Sequence, residues 1–436
     1  MHDEEKARLA RGFFSECLTH TKGEWAHDRF KLAPWQLRII NDIFGTVRSN
    51  GHRQYTMAYV EVPKKNGKTT LSAGIALYGL VLDDEPGAEV YIAASTRDQA
   101  SIAFRVCAQM VRNNPDLRRL CRIVDSTKTI YLTQEPNSFL KAISADAGTQ
   151  DGVNPHMVVF DELHRQKNSD LWDVLSYGMA TRRQPLMFAI TTAGITGHSP
   201  ICEEMHNRAR QVRDGIIQDP SFYPVLYGLD DDEDWTLEGA PAVNGTPATG
   251  WYKANPSLGL FLSVEKVREE FARAMASPSQ QNGFRRLRLD QWVGQETRYL
   301  PMEDWRACGE PFDANELVGL PCFGGLDLSA TQDVTALALI FEREGLYYCL
   351  PQFWIPAHDQ AMRSKRDRVP YDLWVSQGLV HATEGNQVDY GFVRKNIADL
   401  AKLYDIREIG YDRWGATRII QDLTADGLTM IPIGQG

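Results

Sequence analysis

"VEVPKKNGKTT", Val60 to Thr70, is the stretch on which the fold turns. Before it, "YTMAYVEV" (Tyr55–Val62) is a short apolar run rich in β-formers; after it, "GKTTLSAGIALYGLVL" reads as a helix. A strand passing through a lysine- and glycine-bearing loop into a helix is the form of a phosphate-binding loop. In such a loop backbone N–H groups and the helix N-terminus face the phosphates, a lysine reaches the outer oxygens, and a hydroxyl binds Mg²⁺. Gly67, Lys68 and Thr69 supply those parts, flanked by Asn66 and Thr70. Val62 stands where the pattern GxxxxGK[ST] opens with glycine. That residue is still leaving the strand, so Pro63 is expected to set the turn instead.

The same alternation continues downstream. "EVYIAAS" precedes a helix from about Arg97 to Arg112, "HMVVFDE" precedes "SDLWDVLSYGMA", and "PLMFAITTAG" precedes "ICEEMHNRARQVRDG". Strands alternating with helices imply an α/β fold with a parallel sheet covered on both faces. "MVVFDE" ends an apolar strand in Asp161 and Glu162, at the carboxyl edge of the sheet where α/β proteins bind ligands. Asp161 is expected to hold the Mg²⁺ water shell and Glu162 to orient and polarise the attacking water. An acidic pair after a strand is often only a solvated loop start. Its place downstream of a lysine loop is what makes an ATPase core the better reading.

Composition sets outer limits. The chain has 436 residues, a net charge of −10 and seven cysteines without CxxC spacing. The length allows two or three domains, and the acidic balance argues against a permanently bound nucleic-acid coat. The odd, scattered cysteines indicate neither a disulfide framework nor a zinc site. No run approaches the ~20 apolar residues that cross a bilayer, and "MHDEEKARLARGFF" lacks the apolar core of a secretion signal, so an intracellular protein without a membrane partner is expected.

The ordered motifs resemble the large terminase subunits of tailed bacteriophages, ATP-driven motors that package viral DNA. "LAPWQLRII" looks like the adenine-contact motif of that family, with Gln36 for the base edge and Trp35 as a packing neighbour. "VPKKNGKT" is similar to its deviant Walker A, in which the first glycine is commonly lost and a basic residue, here Lys64 or Lys65, sits early in the loop. "VVFDELH" matches its Walker B with the catalytic glutamate, and "ITTAG" (Ile190–Gly194) its coupling motif, so Thr191 and Thr192 are expected to feel the loss of the γ-phosphate. The resemblance implies a P-loop (RecA/ASCE-like) ATPase domain followed by an RNase H-like mixed-sheet nuclease. ATP and Mg²⁺, with Mn²⁺ as an alternative in the nuclease, would be the cofactors. Double-stranded DNA, a small terminase subunit, a portal protein and a homo-oligomeric ring in the host cytoplasm would be the partners and setting.

In the C-terminal third, "CFGGLDLSATQDVTALALIF" brings Asp327 out of a strand, and "IREIGYDRWGA" ends another strand at Asp412. RNase H-type nucleases gather carboxylates from separate strands around two divalent ions. Asp327 and Asp412 match the first two acidic motifs of the terminase nuclease; Asp333, in the turn "SATQDVT", is a weaker candidate, and Asp389 another acid that could complete a site. The family's third acid would follow well after the second, whereas the sequence ends at Gly436, so the nuclease is expected to be C-terminally truncated and a poor cutter. The division expected is an ATPase domain over 1–225, a lid or linker over 226–310 and an incomplete nuclease over 311–436.

The middle region is less legible. "YGLDDDEDWTLEGAPAVNGTPATGW" (Tyr227–Trp251) reads as an exposed excursion, and Ser263 as the N-cap of "VEKVREEFARAMA". Basic clusters occur at Arg97, Arg105, Arg112, Arg118, Arg119 and Arg122, in "FRRLRL" and in "MRSKRDR". Most such runs are solvated faces, yet a ring motor needs one arginine for its neighbour's nucleotide and others for the DNA backbone. His164 either senses the γ-phosphate or packs in its loop. A helicase with the same "DELH" would need a second nucleotide-clasping domain with an arginine-rich closing motif, and none is seen. A decayed ATPase serving in assembly would have been free to lose Lys68, Thr69, Asp161 and Glu162.

Overall fold

The computed structural model describes the chain except residues 24, 146–151, 295–301, 330–332, 359, 361–362, 365–368, 413–416 and 435–436. Two compact units result, Met1–Trp305 and Arg306–Gly436.

The first unit is built on an 8-stranded sheet. Its strands are β1 (Met57–Glu61), β2 (Glu89–Ala94), β3 (Cys121–Val124), β4 (Thr129–Leu132), β5 (Phe139–Ser144), β6 (Met157–Asp161), β7 (Leu186–Thr191) and β8 (Phe222–Leu226). They lie in the order β3-β4-β5-β2-β6-β7-β1-β8. The run from β5 to β8 is parallel, and β3 and β4 add an antiparallel edge. Every residue of β6 and β7 is buried, as a parallel strand with helices on both faces requires. The two-residue period sorts their side chains into two cores. Ala58, Val60, Met157 and Val159 pack under the helices Pro34–Gly45, Lys68–Val81 and Arg97–Asn113. Tyr59, Val158 and Phe160 pack under Asp170–Gly178 and Pro200–Arg213. Strands β3, β4, β5 and β8 went unread in the sequence: they are short or broken by charged and polar residues, which hides any alternation.

At the edge of the sheet opposite the lysine loop lies a buried ion cluster. Arg53 grips Asp83 with two hydrogen bonds of 3.0 and 2.9 Å, and His156 Nε2 lies 2.6 Å from the same carboxylate. Burial pushes the Asp83 carboxyl up, but Arg53 and His156 outweigh it and hold it below the usual carboxylate range. A depressed carboxyl stabilises the fold at pH above its ordinary value of 3.8, and that contribution is lost as pH falls through the lower, folded value. Asp83→Asn would strand the Arg53 charge, so a loss of about 3–5 kcal/mol in denaturant unfolding is expected at pH 7. The gap to wild type should narrow below pH 4. A loss under about 1 kcal/mol, or one that does not change with pH, would contradict this account.

The second unit holds a 6-stranded mixed sheet in the order β12-β11-β10-β9-β13-β14. The strands are β9 (Pro321–Asp327), β10 (Thr335–Arg343), β11 (Leu346–Pro356), β12 (His381–Thr383), β13 (Asp405–Asp412) and β14 (Met430–Ile433). Its core joins Leu337, Leu339 and Phe341 of β10 to Val393 and Ile397 of the helix Tyr390–Leu403 and Leu423 of the helix Thr417–Ala425. Among the described residues no helix is long and apolar enough to cross a membrane. The cysteines are free thiols; Cys107, Cys121, Cys202 and Cys322 are buried, while Cys308 and Cys349 are exposed.

Candidate functional site

The loop after β1 answers the question raised by Val62. Left-handed backbone falls at Lys65 (φ 72°) and Gly67 (φ 90°), not at Val62. Val62 stays in the ladder: its N–H donates to Thr191 O at 3.0 Å, and its own carbonyl accepts Lys68 Nζ at 2.8 Å. The loop takes from this position a fixed carbonyl, which valine offers as well as glycine. Gly67 is constrained twice, by its positive φ and because a β-carbon there would lie 3.2 Å from Gln36 Nε2 and 3.3 Å from the Phe261 ring.

A cavity of about 1220 Å³ opens above the loop. Gln36, Lys64, Lys65, Gly67, Lys68, Thr69, Thr70 and Glu162 all line it. Gln36 is held by the N–H of Ala33 on its Oε1 (3.0 Å), so its amide nitrogen remains to donate. Burial pushes the Lys64 ammonium down, opposed by Glu162 nearby. Trp35 packs as expected, its indole N–H donating to Ser257 at 2.9 Å.

The acid pair is placed by topology. Because β7 lies between β1 and β6, the acids leave the sheet two strands from the lysine loop and at the same edge. Asp161 is buried, and one of its oxygens has no hydrogen-bond partner among the described residues. Burial, reinforced by Glu162, pushes its carboxyl up to about 7. Asp161 lies outside the cavity lining, and a buried carboxyl with a spare oxygen within electrostatic reach of Lys68 suits a divalent cation. Glu162 adopts φ 57°, a costly conformation for a non-glycine residue, and its N–H is pinned to Ile190 O at 3.0 Å.

Three sequence expectations need correction. Thr191 and Thr192 are fully buried and outside the cavity lining; their hydroxyls meet His164, at 3.0 and 3.2 Å from its Nδ1. Asn66 is also fully buried, and its side chain is turned to Pro63 O and Asn255 and accepts the N–H of Ser257, which leaves only its main chain for a phosphate. "FRRLRL" is no free basic face: Arg285 bonds Gln291, while Arg288 pairs with Glu270 and donates to Lys64 O at 2.9 Å.

That last contact belongs to a strap the sequence concealed. Residues 287–293 run from the phosphate loop to the coupling motif. Leu287 O accepts the N–H of Lys64, Asp290 accepts the N–H of Ala193 (3.0 Å), and Val293 O accepts the N–H of Thr196 (3.0 Å). The Trp292 ring lies against Gly194, where a β-carbon would come within 2.9 Å of it, and its N–H reaches Glu61 at 3.2 Å. Only glycine at 194 admits this contact. Glu61, buried at the end of β1, also binds Tyr59 and His206. An acid inside an apolar strand was the one available signal.

Of the arginines around the helix Arg97–Asn113, Arg112 pairs with Asp125, Arg119 with Asp116, and Arg122 stacks on Tyr131. Arg97, Arg105 and Arg118 are exposed with no carboxylate partner among the described residues. "MRSKRDR" falls mostly outside the described residues; within it, Arg363 is buried.

In the second unit β9 and β13 run parallel with Leu326 opposite Tyr411, so Asp327 and Asp412 follow as neighbours at one sheet end. Adjacent strands are about 4.8 Å apart, a spacing at which two carboxylates can share a cation. Among the described residues no third acid, histidine or cysteine completes a cluster with them. Asp333 caps Val334 N (2.9 Å) in its turn, and Asp389 caps the helix Tyr390–Leu403 through Gly391 N (2.8 Å). Both are spent on local structure.

Comparison with known proteins agrees with this arrangement. Residues 34–210 match the terminase large subunit ATPase domain, and residues 217–436 match the terminase large subunit endonuclease domain. The chain is 31% identical over 387 residues to the terminase large subunit of Enterobacteria phage HK97, covering 87% of this chain and 73% of that protein. It is 28% identical over 295 residues to protein YmfN of Escherichia coli (strain K12), covering 65% and 62% respectively. The crystal structure of the HK97 large terminase superposes with a TM-score of 0.55 at 29% identity, over 100% of this chain and 86% of that one. With one half of its length carrying the packaging ATPase and the other the endonuclease, the chain belongs to the terminase large subunit family of DNA-packaging enzymes.

Proposed function

We propose that this chain hydrolyses ATP in the cavity above the Lys64–Thr70 loop to drive double-stranded DNA into a procapsid, and cuts that DNA with its second unit. The observation that carries the motor reading is the single cavity on which Gln36, Lys68, Thr69 and Glu162 converge. Gln36 donates its amide N–H to an acceptor nitrogen on the adenine edge. Lys68, one of whose three N–H groups is spent on Val62 O, holds the β- and γ-phosphate oxygens with the others. Thr69 and Asp161 would hold Mg²⁺, which supplies positive charge at the phosphates. Glu162 orients the attacking water and takes its proton. Thr191 and Thr192 act in coupling rather than in binding. Docking on a portal as a ring, with DNA delivered by a small subunit in the host cytoplasm, is the setting this activity requires. The proposed division is an ATPase over 1–225, a lid or linker over 226–310 and a nuclease over 311–436. The test is Mg²⁺-dependent ATP turnover with and without linear duplex DNA, alongside a strand-displacement assay. Turnover raised by duplex without strand separation is expected; unwinding would indicate a helicase instead.

For the nuclease, Asp327 and Asp412 would hold a divalent ion, Mn²⁺ or Mg²⁺, at the end of β9 and β13. Titration calorimetry with Mn²⁺ should show a weak site that loses at least about tenfold in affinity in Asp327→Ala and in Asp412→Ala, because a hard cation bound by two carboxylates loses half its charged ligands. Asp333→Ala and Asp389→Ala should leave it unchanged. Equal binding in all four variants would remove the pair from the site.

A further inference from the structure

His164 stands where the catalytic and coupling groups meet. It is buried, and its Nδ1 lies 3.2 Å from Glu162 Oε2, 3.0 Å from Thr191 Oγ1 and 3.2 Å from Thr192 Oγ1. Its own N–H donates to Thr191 Oγ1 at 3.1 Å, which fixes the ring's root. Three oxygens thus stand within 3.2 Å of one ring nitrogen: it is hydrogen-bonded to the threonine hydroxyls, while Glu162 Oε2, equally near, makes no hydrogen bond among the described residues. A neutral imidazole nitrogen has either one hydrogen or one lone pair, so it satisfies one strong partner at a time.

The hydroxyls limit the choices further. The Thr191 hydroxyl donates to Thr192 O at 3.0 Å, so towards His164 it is only an acceptor. The Thr192 hydroxyl is free to donate. When Nδ1 carries the hydrogen it can hold the Glu162 carboxylate or Thr191. When the ring hydrogen stands on Nε2 instead, the bare Nδ1 can accept the Thr192 hydroxyl, and it then turns a lone pair towards Glu162. The two arrangements exclude each other. Burial pushes the ring down to about 4, which keeps it neutral and preserves this exclusivity.

We propose that His164 is a positioning residue which holds the Glu162 carboxylate in one arrangement and the Thr192 hydroxyl in the other, and so links the catalytic acid to the coupling motif. The inference rests on the reading of Glu162 as the catalytic base. Glu162 is the only one of these groups that lines the cavity, and its backbone is tied to β7 through Ile190 O, so what can move is its side chain. Beyond Thr192 the chain is held to the strap, by the hydrogen bond from Ala193 N–H to Asp290 and by the packing of Gly194 against the Trp292 ring. The coupling thus has a discrete two-state element and not merely residues lying between two sites.

The test is a double-mutant cycle on the full chain, with ATP turnover measured for His164→Ala, Thr192→Val and both together, at equal folded fraction by circular dichroism. His164→Ala should lower kcat by about 10- to 100-fold with KM for ATP within about twofold, since the residue touches no substrate. The double variant should be no slower than the slower single one, because both substitutions break one link. His164→Asn places an amide at the position of Nδ1 and should recover to within about threefold of wild type. Effects that multiply in the double variant, a KM rising in step with the fall in kcat, or an asparagine no better than alanine would each overturn the proposal. Glu162→Gln, measured alongside, separates the two readings. Near-normal turnover there would remove Glu162 from catalysis and the link with it, whereas stalled turnover with multiplicative His164 and Thr192 effects would overturn the link alone.

Discussion

Lys68→Ala is expected to lower ATP turnover by about 10³-fold or more, which corresponds to about 4 kcal/mol of lost transition-state stabilisation. The ammonium is buried and aimed by Val62 O, a carbonyl that the sheet itself holds in place through Thr191. Lys64 and Lys65 line the same cavity, but among the described residues neither ammonium is tied to that carbonyl. Lys64 has its main chain tied to Leu287 and Arg288, and Lys65 is exposed in a left-handed turn. Removing a charge so preorganised costs more than removing a mobile one, because the site loses a donor already oriented for the transition state. The helix behind it should be unaffected, alanine being the best helix former. Steady-state phosphate release and a circular dichroism melt check both halves. Turnover within about tenfold of wild type, with the fold intact, would end the assignment of the loop.

Glu162→Gln should behave differently. The amide keeps the length of the side chain and its access to the cavity but cannot take a proton from water, so hydrolysis should fall by about 10²- to 10⁴-fold while nucleotide still binds with Mg²⁺. Asp161→Asn should reverse this pattern, weakening metal-dependent binding first, because the neutral amide gives up the negative charge that a divalent cation seeks at this buried position. Equilibrium binding of a fluorescent ATP analogue, set beside single-turnover hydrolysis, distinguishes the two. Equal loss of affinity in both variants would show that the acids do not divide the work in this way.

The parts of this site legible in the sequence are those made locally. A loop between a strand and a helix, a carboxylate pair at a strand end, and an N-cap such as Ser263 each follow from a few adjacent residues. The two strand-end acids of the nuclease unit could be named but not brought together, since their adjacency comes from pairing β9 with a strand far downstream. The misreadings share one cause. Asn66, Arg288 and the two threonines have side chains suited to nucleotide or DNA, yet distant residues claim them: Asn255 and Ser257 for Asn66, Glu270 for Arg288, and His164 for the threonines. No local pattern carries that information. Asp290 and Trp292 were invisible for the same reason: a buried acid past the end of a helix looks like an ordinary solvated cap until its partner in the coupling motif is seen.

The long reach of the strap also sets an order of events during synthesis. The phosphate loop takes its shape from groups made much later: Ser257 follows Asn66 by 191 residues, and Arg288 follows Lys64 by 224. At about 5–20 residues per second a ribosome needs roughly 10–45 s to cover that interval. Throughout it the loop's main chain lacks the bonds that aim it, and β1 itself gains its neighbours β7 and β8 only once residues 186–191 and 222–226 have been made. The loop's full set of bonds therefore closes only when residues 250–293 have left the ribosome, after the whole of residues 34–210 has been made.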